Sequence, residues 1–279
     1  FMAVIGLVVA AVIAFNNSGF KSQVEAVAPG LARSFTFDLK DEASSIYARV
    51  MRWNGSVKLY ESATPTQKWF GFGSDTVEFT YVNQMTTKQM HIVGGGYVSL
   101  IDRIHNHVQD ALVMTGIIGW IAELLLFGIF FGVGVRFLGF LSGKPRWLLY
   151  GASTVSMGII GADGLPAIIG ALQLLPQGDP STGFWGLGLA SGMLAGQFAY
   201  LLLQRLVLAR SAFSLAHQDK PLMERALIWA LVTAVMANWM DLQFAFTHTT
   251  IASLKWLCMG LLVSLTTYRA HTTIQTPTS

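Results

Sequence analysis

The chain has very little cysteine and very little charge. Cys258 is the only cysteine in 279 residues. One thiol makes no intrachain disulfide, so any folded part must be held by packing alone. Charged residues make up 12% of the chain, against about 25% in a soluble domain. Catalytic signatures are missing as well: there is no Walker loop, no HExxH, no G-x-S-x-G and no CxxC. The stretch "GFGSDTVEFTYV" contains a glycine pair but reads as leading into a strand, not a helix, so it makes no phosphate cradle.

What fills the chain is apolar sequence. It is 53% hydrophobic, with a mean hydropathy of +0.51. A membrane span needs about 20 predominantly apolar residues. Runs that meet this are Ala111 to Leu141, Trp147 to Leu175, Gly183 to Leu208, Ala226 to Phe246 and Ile251 to Thr267. Phe1 to Phe15 is a shorter run. Because the sequence opens on Phe1, the expectation is a first span (1–15) whose leading part is missing. A signal peptide is the rival, but no basic n-region supports it. Trp147, Trp185, Trp239 and Trp256 stand near run ends, where indoles favour the headgroup level.

Basic residues then set an orientation. Outside 16–110 they are Arg136, Lys144, Arg146, Arg205, Arg210, Lys220, Arg225, Lys255 and Arg269. All but Lys255 fall in alternate connections, at the run ends that border them (Arg136, Arg205), or after the last run. The connections 174–183 and 247–249 carry none. Basic residues beside spans stay cytoplasmic. The expected layout is therefore six spans, a segment 16–110 outside, a five-helix region 111–271 and a cytoplasmic tail 272–279. The net charge of +3 is this loop bias and calls for no nucleic-acid partner; 16–110 is neutral, with nine Lys/Arg against nine Asp/Glu.

Within 16–110 the pattern predicts a small α+β domain. Arg33 to Leu39 alternates weakly. Asp41 to Trp53 places Ile46, Val50 and Met51 at helical spacing. Asn54-Gly55 reads as a turn. Ser56 to Tyr60 and Thr76 to Val82 alternate and read as strands, the second aligning Val77, Phe79 and Tyr81. Gly94-Gly95-Gly96 reads as a hinge, and a helix is expected from Tyr97 into the second span.

The order of span, outer domain, strand and then "SLIDRIHNHVQDALVMTGIIGWIAELLLFGIFFGVGVRF" resembles the PepSY-associated transmembrane proteins, over about residues 1–140. Tyr81-Val82 and Thr86 match that family's strand and turn, while Asn83, Gln84 and Thr87 depart. His105 matches its histidine, and Gly116 and Gly119 its glycines. The resemblance implies a bacterial inner membrane and a periplasmic PepSY-like α+β domain. Some members are reductases that hold haem b between span histidines and pass electrons to a ferric siderophore.

The histidines fit that chemistry poorly. A bis-histidine haem needs two imidazoles at one depth on facing helices. His105, His107 and His248 sit near the outer mouth, His91 lies in the outer domain, and His217 and His271 are cytoplasmic. His105 or His107 facing His248 is the one open haem b geometry. The alternative is that these are solvated interfacial histidines.

Charges within the runs default to a functional reading. Asp241 and Lys255 flank one outer turn and are expected to form a structural ion pair. Asp163 lies in "GIIGADGLPAIIG" beside Pro166. It marks either a kink whose aspartate bonds a neighbouring helix or a break able to hold a cation or proton. Glu123 shows no partner. Gly188, Gly192 and Gly196 share one helix stripe, on which another backbone can pack closely; glycine is also simply common in membrane helices. Two functions follow from these readings. One is a non-catalytic accessory or scaffold subunit contacting other membrane subunits through its outer domain and the glycine stripe. The other is a haem b reductase.

Overall fold

The computed structural model describes residues 19–27, 39, 45–74, 76–81, 84, 103–138, 140–141, 143–176, 180–204, 206, 222–241, 257–261 and 263–264. In chain order the helices are α1 (Phe20–Val27), α2 (Ser45–Ser62), α3 (Pro65–Phe70), α4 (Val77–Tyr81), α5 (His107–Phe137), α6 (Lys144–Ala171), a 3-10 turn (Thr182–Phe184), α7 (Trp185–Leu203) and α8 (Leu222–Asp241). Among the described residues three stretches are long and apolar enough to cross a membrane: α5, α6 and Thr182–Leu203. Ala226–Trp239 in α8 is a shorter apolar stretch. The expected first span lies outside the described residues. Of the expected sixth, 257–261 and 263–264 are described and helical.

No β-strand occurs among the described residues, which overturns the α+β, PepSY-like outer domain. Both expected strands are helical. Ser56–Tyr60 is the last part of α2 and 77–81 is α4. A five-residue alternation fits either structure, and burial decides between them. A strand would put Val77, Phe79 and Tyr81 on one face. Here Val77 and Tyr81 are 0% exposed and Phe79 is 71% exposed, because residues four apart share a helix face and residues two apart do not. The Gly71–Gly73 pair thus does precede a helix, one of only five residues. Gly94–Gly96 and the onset at Tyr97 lie outside the described residues; the described helix begins at His107.

Asn54-Gly55, expected as a turn, sits inside α2. Tertiary packing explains it. The Tyr81 ring lies directly on Gly55, where a Cβ would overlap it. The Tyr81 hydroxyl donates to the carbonyls of Arg52 and Met51. Burial pushes the Tyr81 phenol well above its usual value, opposed in part by Arg52. Helix α3 carries its own start signal. Thr64 and Gln67 form a capping box, Pro65 occupies the first turn, and Gly71 ends the helix at φ 81°.

Two cores result. One joins Val50, Trp53, Tyr81, Ile104, Val113 and Phe184, uniting α2, α4 and the 3-10 turn with the start of α5. The other joins Phe127, Phe131, Tyr150, Met193, Val232 and Trp239 from α5 to α8. Between α6 and α7 the backbones touch. Cβ atoms added at Gly188, Gly192 and Gly196 would lie 2.1–2.3 Å from the carbonyl oxygens of Gly161, Met157 and Ser153. The glycine stripe is filled by a helix of the same chain. Ser153 Oγ adds a bond across it to the Gly196 carbonyl, 2.6 Å. α6 stays helical through Pro166.

Candidate functional site at the break in α5

The helix that breaks is α5, at Gly116. Its φ of 66° and ψ of −172° are non-helical and belong to a region essentially restricted to glycine. We refer to 107–115 and 117–137 as the short and long arms. In an unbroken helix His107 and Glu123 would stand about 24 Å apart. Instead His107 Nε2 lies 2.5 Å from Glu123 Oε1, so the short arm folds back on the long one.

The break frees carbonyls that a lipid-embedded chain must satisfy. The Val113 and Met114 carbonyls accept from the N–H groups of Phe72 and Gly73, at 2.8 and 3.0 Å. The short arm starts cleanly. The Asn106 side chain accepts from Gln109 N at 3.1 Å, and Asp110 in the first turn favours the helix N-terminus. Asp110 Oδ1 also accepts from Ile104 N at 3.0 Å.

The pair sits in apolar surroundings. His107 and Glu123 side chains are 17% and 26% exposed. The imidazole meets Phe127 and Trp239 edge-on, at ring separations of 6.3 and 5.8 Å. The imidazole gives the Glu123 carboxyl a polar neighbour within an otherwise apolar span. Sequence reading left Glu123 without a partner because it took α5 as straight. Nothing in the sequence sets Gly116 apart from Gly119, Gly128, Gly132 and Gly134 of the same run.

A second set of polar groups fastens the cap to the span ends. Gly183 is gripped from both sides. Its N–H donates to Asn54 Oδ1 at 2.7 Å and its carbonyl accepts from Gln109 Nε2 at 2.6 Å. Asn54 Nδ2 donates to the Pro180 carbonyl at 2.7 Å. Ser56 Oγ donates towards Gln109 Oε1 and the Trp53 carbonyl, at 3.1 and 2.8 Å. Trp53 Nε1 donates to the His105 carbonyl at 3.1 Å. Asn54, Ser56 and Gln109 are all at most 2% exposed, so these bonds are shielded from water. Asn54 was read from sequence only as a turn residue and Gln109 not at all, since their partners are far along the chain.

The remaining expected residues fall as follows. His105 adopts a left-handed φ of 60°, and its carbonyl is the one that accepts from Trp53 Nε1. His248 and Lys255 lie outside the described residues, and the expected haem pairing and Asp241 ion pair lie there with them; Asp241 is the last residue of α8. A haem ligated by His107 Nε2 would have to displace Glu123. Asp163 is exposed on α6. Among the described residues no group of three or more His, Cys, Asp or Glu side chains converges.

These features define a membrane protein with a helical cap bonded to the ends of its membrane helices. Comparison with protein-family models, curated proteins and solved structures returns no match.

Proposed function

We propose that the chain is a non-catalytic accessory or scaffold subunit of a bacterial inner-membrane complex. In this reading it is multi-pass, the cap within 16–110 is periplasmic, and the C-terminus is cytoplasmic. The observation that carries the reading is the double grip on Gly183 by Asn54 and Gln109. It couples the cap to the spans, as a part that presents a fixed surface to other subunits requires. The alternation of basic connections supports the orientation. Because α6 covers the glycine stripe of α7, partner contacts are assigned to the cap and to the outward faces of the helices.

The test is purification from native membranes in mild detergent. The expected result is a colourless preparation holding other membrane subunits in fixed stoichiometry, with retention reduced in Asn54→Ala/Gln109→Ala. A chain that purifies alone and shows a haem b α-band on reduction would overturn this reading in favour of the reductase.

A further inference from the structure

We propose that Trp69 and Phe70, at the end of α3, seat in the lipid bilayer at the boundary between headgroups and hydrocarbon, beside the break in α5. Both side chains are exposed, Trp69 at 54% and Phe70 at 66%, although their backbone is firmly held. A Cβ at Gly116 would lie 2.4 Å from the Trp69 carbonyl, and one at Gly71 would lie 2.2 Å from the Met114 carbonyl oxygen. With the bonds from Phe72 and Gly73, this fixes α3 against the apex of the break.

The apex has a definable depth. At 1.5 Å per residue the long arm, 117–137, spans about 31 Å, and the hydrocarbon core is about 30 Å thick. The arm has the length to cross once, so Gly116 stands at one boundary and Arg136 near the other. A separate observation agrees. Trp120, one turn from Gly116, packs its ring 6.2 Å from that of Trp185, the first residue of α7. Indoles collect at the headgroup level.

Lipid is the occupant because exposed apolar side chains flank Gly116 on the α3 side and on the span side alike. Ile118 and Ile121 are 51% and 45% exposed and begin within two turns of Gly116. Trp69 and Phe70 are exposed next to where that span side starts, because the Trp69 backbone abuts Gly116. Lys68 lies half-buried in the same turn, with a stem long enough to carry its ammonium to the headgroups. The inference rests on α5 crossing a membrane and not on the accessory role.

The single cysteine makes the test direct. In a Cys258→Ala chain, Trp69→Cys and Phe70→Cys are each nitroxide-labelled and reconstituted into phosphatidylcholine/phosphatidylglycerol vesicles, so that each aromatic is kept while the other is probed. Ile118→Cys and Lys58→Cys serve as span and solvated references. Collision rates with oxygen and with a water-soluble nickel chelate are read by electron paramagnetic resonance. The expected result is nickel access at 69 and 70 several-fold below that at 58, with oxygen access close to that at 118. Nickel access equal to that at 58 overturns the proposal. Low access to both reagents also overturns it, because protein and not lipid would then cover the site. If Ile118→Cys itself is open to nickel, the span assignment of α5 has failed, which separates that failure from the anchor's.

Discussion

At the scale of single residues, Gly116 sets the geometry of the site. Its backbone region excludes side chains, and the carbonyl of Trp69 and the amide of Gly71 leave no room for a Cβ. Gly116→Ala is therefore expected to cost on the order of 2–3 kcal/mol, read as lower thermal stability in detergent. An unchanged melting temperature would mean the chain does not turn there. The pair it creates makes a second prediction. His107→Ala and Glu123→Gln, singly and together, should give a coupling energy on the order of 1–3 kcal/mol. The side chains keep 17% and 26% exposure, so water weakens the contact relative to a fully enclosed one. Strict additivity would place the two residues apart. Neither effect was legible from the sequence. A glycine in an apolar run is ordinary, and a separation of 16 positions says nothing of contact unless the chain is known to turn back.

At the scale of elements, the contest lay between strand and helix in the cap. Short alternations such as Val77, Phe79, Tyr81 cannot separate the two. What settles it is that Tyr81 reaches the α2 backbone over Gly55 while Phe79 turns outward. Val77→Ala should cost about 1–2 kcal/mol and Phe79→Ser should stay within about 0.5 kcal/mol, both by chemical denaturation. Equal losses would restore the strand. The long apolar helices were far more legible, because twenty apolar residues in succession leave few alternatives. Their ends moved by only a few residues, as with the third run expected from Trp147 and observed from Lys144. The glycines of α7 could be placed on one stripe from spacing alone. That the covering helix is α6 of the same chain depended on antiparallel packing.

At the scale of the whole molecule, the cap and the membrane helices are coupled through a few buried polar groups. Asn54→Ala removes both the acceptor for Gly183 N–H and the donor to the Pro180 carbonyl. The loss should be about 1–3 kcal/mol. It should appear in hydrogen exchange as faster opening of α2, with the long arm of α5 unaffected. Uniform acceleration through α5 would show that the cap and spans unfold as one unit and that the seam is not a separable fastening.

The sequence alone determined that this is a membrane protein and roughly where its long helices run, because hydropathy over twenty residues is a local property that needs no partner. Only the tertiary structure decided that the cap is helical where described, that α5 doubles back at Gly116, that Glu123 meets His107, and that Asn54 grips Gly183. Each of these depends on groups distant in the chain satisfying one another's backbone and polar atoms out of water, and local sequence pattern does not encode such pairings.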